Sequence, residues 1–283
     1  MPDPVATLAV LGIPIRLGSI SGGRFDLAPP AVREALRRFS TFDAARDVRA
    51  VRVIDDGDLD VAGMIVDDHV REGWIEGSME ARNDGDAWLL LGGDNSITWA
   101  AAYTVQRIYE PLGVITLDAH HDLRDTEKGI SNGSPIRALL DDGIEGDNIW
   151  QLGIQPFANS PAYAAVAREH GIHVVTADDV RARTIAACMT EALDDLAGRV
   201  DAIYVDLDVD VLDRTFAPAC PGARPGGLMP HELFEAARLA GAHPMVRAAD
   251  IVEVDPTRDV ADVTVLAAAR CLLSFAAGLA SRA

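Results

Sequence analysis

Apolar runs recur along the chain at VATLAVLGI (5–13), VRVID (51–55), AWLLLG (87–92), GVITLD (113–118), NIWQLGI (148–154), IHVVT (172–176), AIYVDLD (202–208) and VRAADIVEV (246–254). They are rich in Val, Ile and Leu and alternate little with polar residues. Strands with one wet face alternate. Strands covered on both faces do not, so these runs predict a parallel sheet. Between most of them, apolar residues fall at helical spacing: PPAVREALRRF (29–39), SITWAAAYTVQRIY (96–109), PAYAAVAREHG (161–171), TIAACMTEALDDLAGR (184–199), PHELFEAARLAG (230–241) and ADVTVLAAARCLLSFAAGL (261–279). Pro30 and Pro230 stand near predicted helix starts, where a missing N–H costs least. Gly171 and Gly241 are expected just after helices, where a left-handed residue is often needed. The β–α alternation reads as one catalytic-size domain over 1–283: a three-layer α/β/α fold around a central, mainly parallel sheet.

Composition narrows the partners. With 49% hydrophobic residues the chain can bury a substantial core, and its net charge is −19. Nucleic acid needs a basic footprint and is excluded as a partner. Anionic membranes are repelled, and no apolar run is long enough to span a bilayer. The segment MPDPVATLAV lacks the basic region of a signal peptide. Cys188, Cys220 and Cys271 are too few and too scattered for a disulfide framework, so a reducing cytoplasm is the expected location. Aspartates are so abundant that only their spacing is informative.

In open α/β sheets, ligands bind beyond the carboxyl ends of the strands. GGDNS follows AWLLL, DAHHDLRD follows GVITL, DLDVDVLD closes AIYV, and EVDP follows VRAADIV. Period-two spacing at a strand end predicts that Asp118, His120 and Asp122 point the same way, and likewise Asp206, Asp208 and Asp210. One such aspartate reads as a cap or turn former. Two clusters with a histidine read as a metal site, because buried carboxylates this close are costly without a cation. Mixed carboxylate and imidazole ligation suits Mn²⁺, with Zn²⁺, Fe²⁺ and Co²⁺ as competitors. A carboxylate can also bridge two ions about 3.5 Å apart, which together bring the pKa of a shared water toward neutrality.

The four segments GGDNS (92–96), DAHHD (118–122), DVDVLDR (208–214) and EVDP (253–256) resemble, in order, the GGDHS, DAHxD, DxDxxDP and ExxP motifs of the ureohydrolase superfamily. That superfamily includes arginases, agmatinases, guanidinobutyrases and formimidoylglutamases. Weaker similarity in GGRFDLAPPAVREAL, FAPACPGARPGGL and DVTVLAAARCLL extends over most of the chain. The resemblance implies an arginase-like fold, two Mn²⁺ ions and hydrolysis of a C–N bond in a guanidino or formimino group. Asp213 fixes the register of the third motif, so Asp208 and Asp210 match ligands. Asp206 falls where the family commonly has serine and is a structural candidate. By the same resemblance Asp118 and Asp208 bridge the ions, Asp122 completes one site, and His120 and Asp210 complete the other. A metal-activated water would attack the trigonal carbon. Asp122 would hold that water and pass its proton to the leaving amine, and Glu253 would bind the planar cationic group.

Two departures stand out. Asn95 replaces a histidine that ligates the first metal. Its amide oxygen can coordinate a hard cation but is a weaker donor, so that site is expected to be the weaker one. Charge still balances, because Asp118, Asp122, Asp208 and Asp210 match two divalent ions. The second departure is SNGSPIRALL (131–140). Agmatinases have a histidine where Asn132 stands, whereas formimidoylglutamases lack it and tend to read Ser-Gly-Thr-Pro-Phe-Arg. Formimidoylglutamases also tend to carry the DLR found here at Asp122–Arg124. Both features tilt the expected substrate toward formiminoglutamate, cleaved to glutamate and formamide. Its two carboxylates call for arginines: Arg124 and Arg137 first, then Arg214, Arg224 and Arg258, with Asn132 also facing substrate. The acidic chain would attract cationic agmatine better, but pocket groups act more strongly than a screened global field.

The alternatives are an agmatinase or guanidino-acid ureohydrolase, and a degenerate paralogue that binds metal or ligand without turnover. Retention of Asp118, His120, Asp122, Asp208, Asp210 and Glu253 favours an enzyme. A small-molecule substrate and a homo-oligomer are expected. His121 points away from the site by alternation. His170, His173 and His231 fall on helix ends or turns, Cys220 reads as a buried thiol, and Trp99 as helix packing.

Overall fold

The computed structural model describes residues 5–43, 46–61, 65–66, 69–70 and 85–282. The first four residues of the segment read above for a signal peptide lie outside that set. Eight strands form one sheet: β1 Ala6–Ile13, β2 Val51–Asp58, β3 Ala87–Gly92, β4 Leu112–Leu117, β5 Ile149–Ile154, β6 His173–Thr176, β7 Ala202–Asp208 and β8 Val246–Val252. Their order is β6-β5-β4-β7-β8-β3-β1-β2. Every pairing within it is parallel. Each strand coincides with a predicted apolar run. The edge strand β2 continues past its run to Asp58 and is largely exposed. Its acids Asp55 and Asp58 pair with Arg33, and charge on an edge discourages further strand addition.

The helices are α1 Ala28–Leu36, α2 Ser96–Ile108, α3 Pro135–Asp141, α4 Pro161–Glu169, α5 Ala177–Arg183, α6 Ile185–Ala197, α7 Pro230–Ala242 and α8 Val263–Leu279. Neither α3 nor α5 was anticipated, because seven residues are too few to display a helical period. Side chains on one sheet face (Leu8, Leu89, Ile203, Val205) pack with Val32, Leu193, Leu233 and Phe275 of α1, α6, α7 and α8. On the other face Leu11, Leu90, Val114 and Tyr204 pack with Ile97, Ile136 and Ala167 of α2, α3 and α4. Three layers result, as expected. Among the described residues no helix is long and apolar enough to cross a membrane.

One glycine has a different role from the one expected. Gly171 does end a helix, at φ +77, but Gly241 lies inside α7. A Cβ on Gly241 would come within 2.0 Å of the Phe275 carbonyl oxygen, so its smallness lets α7 and α8 approach backbone to backbone.

The topology decides where the site lies. The strands carrying the four motifs, β4, β7, β8 and β3, are adjacent at the sheet centre. Their register aligns Leu117 with Leu207, Leu207 with Ile251, and Ile251 with Leu91. The next residues along begin the four motif loops at one level.

Candidate active site

At the end of β7, Asp208 is still on the strand, and a 3₁₀ turn at Val209–Val211 then swings Asp210 beside it. Asp208 Oδ1 accepts the Asp210 N–H at 2.7 Å, which fixes the turn. Across the sheet, Asp118 begins the loop after β4, and its Oδ1 accepts the His120 N–H at 2.6 Å. His120 Nδ1 lies 2.8 Å from Asp210 Oδ2 and 3.4 Å from Asp118 Oδ1. One donor atom each from Asp118, His120 and Asp210 fall within 4.8 Å of one another. Asp122 joins them from a loop, with φ 53, not from a strand. The period-two rule thus does not apply past Leu117: a left-handed residue returns the chain to the site. His121 is held apart. Its Nδ1 faces Gln151 Oε1 at 2.7 Å, and its N–H donates to Asn159.

The loop after β3 completes the floor. A Cβ on Gly93 would lie 1.6 Å from the Ile15 carbonyl oxygen, so only glycine allows β3 to pass this close to the chain after β1. Asp94 Oδ1 accepts the Ser96 N–H at 3.0 Å. Glu253, at φ 66, has one oxygen fully engaged. Its Oε1 accepts the Asn95 N–H at 2.9 Å and Asn132 Nδ2 at 3.0 Å. Asn132 Oδ1 in turn accepts the Ile20 N–H at 3.1 Å. Asn132 therefore braces Glu253. Asn95 Nδ2 donates to Asp122 Oδ2 at 2.8 Å, and its oxygen, the atom expected to face a metal, instead accepts from Thr98.

Electrostatics show how crowded the buried carboxyls are. Burial, followed by the charge of Asp210, pushes Asp118 up to about 7. Burial and the neighbouring Asp118 lift Asp122 well above the carboxylate range, and burial with Asp210 does the same to Asp208. The Asp210 charge drives His120 up to about 12. Burial works against Asp210 ionising, but His120 overcomes it and holds Asp210 below its ordinary value. Glu253 rises to about 8 through burial and then the charge of Asp94. Four carboxylates and an imidazole converging in a low-dielectric cleft are the donor set of hard-to-borderline divalent ions, so a pair of such ions fits.

The Arginase family model matches residues 6–278. Formimidoylglutamase of Bacillus subtilis (strain 168) is 39% identical over 279 residues, covering 96% of this chain and 86% of the relative. The chain belongs to the Arginase family. The crystal structure of formimidoylglutamase from Bacillus subtilis subsp. subtilis str. 168 superposes with a TM-score of 0.90 at 37% identity, covering 99% of this chain and 89% of that one. Trypanosoma cruzi formiminoglutamase, solved with Mn²⁺, superposes with a TM-score of 0.87 at 23% identity, covering 98% and 95%. As an Arginase-family member the chain is a hydrolase of amidine-type C–N bonds.

In this family member the cleft above the carboxylates is lined by Ile20, Asp122, Arg124, Asn132, Asn159, Tyr163, Arg224 and Glu253, among others. Arg124 lies over the Tyr163 ring at 5.9 Å. Arg224 is anchored on its own loop by the carbonyls of Pro221, Gly222 and Ala223. Neither arginine has an acidic partner among the described residues. Arg137 is placed elsewhere: it does not line the cleft, and its Nε pairs with Asp141 at 2.9 Å along α3. Arg214 donates to the Cys220 carbonyl, and Arg258 pairs with Asp255 at 3.1 Å. Sequence reasoning did not single out Tyr163, Asn159 or Thr98. Only Thr98 left a signal, its helical spacing three residues from Asn95.

Proposed function

We propose that the chain is a manganese-dependent formimidoylglutamase that adds water to the formimino carbon of formiminoglutamate and releases glutamate and formamide. The observation that carries this reading is the polarity of the cleft. Its floor carries the carboxyl groups of Asp122 and Glu253, which can accept from an amidinium, and its wall holds Arg124 and Arg224, which have no acidic partner among the described residues. Such a cleft suits a ligand that is cationic at the reacting end and anionic at the other. The named relatives support the same substrate.

Asp118, His120, Asp122, Asp208 and Asp210 would hold two ions, and hard oxygen donors with one imidazole favour Mn²⁺. The ions, when bound, supply Lewis acidity and bring water toward ionisation near neutral pH. Everything else falls to the protein. With Oε1 taken by two N–H donors, Glu253 has its second oxygen for the N–H groups of the planar amidinium, a charge-assisted pair. Asn132 keeps that carboxylate from turning. Asp122, braced by Asn95, takes a proton from water and delivers it to the nitrogen that leaves as the glutamate amine. Arg124, which lies over the Tyr163 ring, takes a substrate carboxylate. Arg224 faces the same space and is the better candidate than Arg137 for the second carboxylate.

The test is product analysis with Mn²⁺ present, across formiminoglutamate, agmatine and guanidino acids. Formamide and glutamate from the first, with little urea from the others, is expected. Faster urea release from agmatine or a guanidino acid would replace this assignment with a ureohydrolase one. No turnover with metal bound would favour a binding paralogue.

A further inference from the structure

Behind Asn95 a column of oxygen atoms runs into the core. Asn95 Oδ1 lies 2.6 Å from Thr98 Oγ1, which lies 2.7 Å from Asp250 Oδ2, which lies 2.7 Å from the Tyr204 hydroxyl. All four side chains are buried. Thr98 stands three residues after Asn95, on the first turn of α2. Asp250 lies on β8 and Tyr204 on the adjacent β7.

Three short O···O contacts need three hydrogens. Thr98 and Tyr204 bring one each, and an amide oxygen brings none. The third must therefore sit on Asp250, a carboxyl that burial already holds above its ordinary range. The directions then follow. Tyr204 donates to Asp250, Asp250 to Thr98, and Thr98 to the Asn95 oxygen. With that oxygen occupied, the amide has only its NH₂ to offer on the other side, where it meets Asp122 Oδ2 at 2.8 Å. The reverse orientation would set an amide oxygen against Asp122 Oδ2, two acceptors face to face once Asp122 is ionised as a metal ligand.

We propose that Thr98 is a positioning residue: its hydroxyl, oriented from behind by Asp250 and Tyr204, holds the Asn95 oxygen. Asn95 thereby supports Asp122 as a hydrogen-bond donor and does not itself become a ligand. This rests on the reading that Asp122 holds a metal ion. The asparagine then does for its neighbour what outer hydrogen-bond partners do at metal sites generally: it keeps a ligand oriented.

The experiment is Mn²⁺ titration of metal-stripped protein, with free Mn²⁺ followed by electron paramagnetic resonance. The unaltered protein should bind two ions. Thr98→Val should weaken one of them about 10-fold and leave the other within about 2-fold, as for a lost outer partner. Thr98→Ser, which keeps the hydroxyl, should restore both. In an Asn95→Ala background, Thr98→Val should have no further effect, because the two residues act as one unit. If the valine variant does not fold, Thr98→Ala carries the same expectation. Unchanged Mn²⁺ binding in Thr98→Val, failure of rescue by serine, or an equal loss with and without Asn95 would each overturn the proposal. Absence of Mn²⁺ binding in the unaltered protein would overturn the manganese reading as well. Normal binding with an unresponsive Thr98 variant would overturn this inference alone.

Discussion

Replacing Glu253 with glutamine should move activity and stability in opposite directions. Two backbone-anchored donors, the Asn95 N–H and the Asn132 amide, claim Oε1 at 2.9 and 3.0 Å. In Glu253→Gln those donors fix the amide oxygen, so the NH₂ must face the cleft. The substrate amidinium then meets a donor in place of an ionised acceptor. A hydrogen bond to a charged group contributes about 1.5–3 kcal/mol, so kcat/KM should fall about 10- to 100-fold. Stability should change the other way. The folded value of Glu253 is raised from 4.5 to about 8. A carboxyl raised on folding costs nothing below its unfolded pKa, costs progressively more as pH rises from there to the folded one, and levels off above it. At about 1.4 kcal/mol per unit, the cost to the metal-free fold above pH 8 is on the order of 5 kcal/mol as an upper bound. Glutamine removes it. Metal-free Glu253→Gln should therefore melt higher than the parent at pH 8.5 and equally at pH 4.5. Scanning calorimetry of both proteins at the two pH values, beside steady-state kinetics on formiminoglutamate, checks this. A variant less stable at pH 8.5, or one with unchanged kcat/KM, would refute the placement of the free Glu253 oxygen in the substrate's path.

The metal-free protein as a whole should lose stability between pH 5.5 and 8.5, because Asp118, raised to about 7, and His120, raised to about 12, retain protons in the fold that the unfolded chain releases at lower pH. The stabilisation by Mn²⁺ should accordingly grow with pH, and an equal or larger melting shift at pH 5.5 would contradict the assignment of those protons. Arg124→Gln should raise KM for formiminoglutamate about 10-fold or more, while Arg137→Gln, which only unpairs Asp141 on the α3 surface, should leave KM within about 2-fold. Asn95→His should tighten one Mn²⁺ site in the same titration, since imidazole is the better donor; no change would mean that position 95 does not reach the ion.

Much of this was legible in the sequence because both faces of the sheet are covered at every strand but the edge strands β2 and β6. Continuous apolar runs mark every strand, and the residues just after β3, β4, β7 and β8 are the ones that converge. What pattern alone could not supply was local backbone geometry. Asp206 and Asp208 do share a strand face, as period two requires, yet Asp122 and Asp210 arrive through a left-handed residue and a 3₁₀ turn. The arginines show the same limit. Arg137 looked equivalent to Arg124 until α3 placed it one turn from Asp141. Arg224 looked remote because its loop folds back to the cleft only in three dimensions. The facing of the Asn95 amide was out of reach for another reason: it is fixed from behind by Asp250 and Tyr204, more than a hundred residues away in the chain.

The site concentrates costs that the rest of the fold must carry. Asp122 and Glu253 are both non-glycine residues with positive φ, a conformation costing on the order of 1–3 kcal/mol each. Beside them lie Asp118, Asp208 and Asp210, all buried. The strain persists because the backbone is held on each side: the Asp122 carbonyl accepts from the Arg137 N–H at 3.1 Å, and the Glu253 N–H donates to Gly93 at 3.0 Å. The mutual repulsion of the carboxyls is lessened where protons, including the one on His120, stand in for positive charge. A divalent ion that displaces those protons relieves the repulsion but not the strain. The ion's binding free energy should therefore depend steeply on pH, whereas the backbone conformation at Asp122 and Glu253 should be the same with and without it.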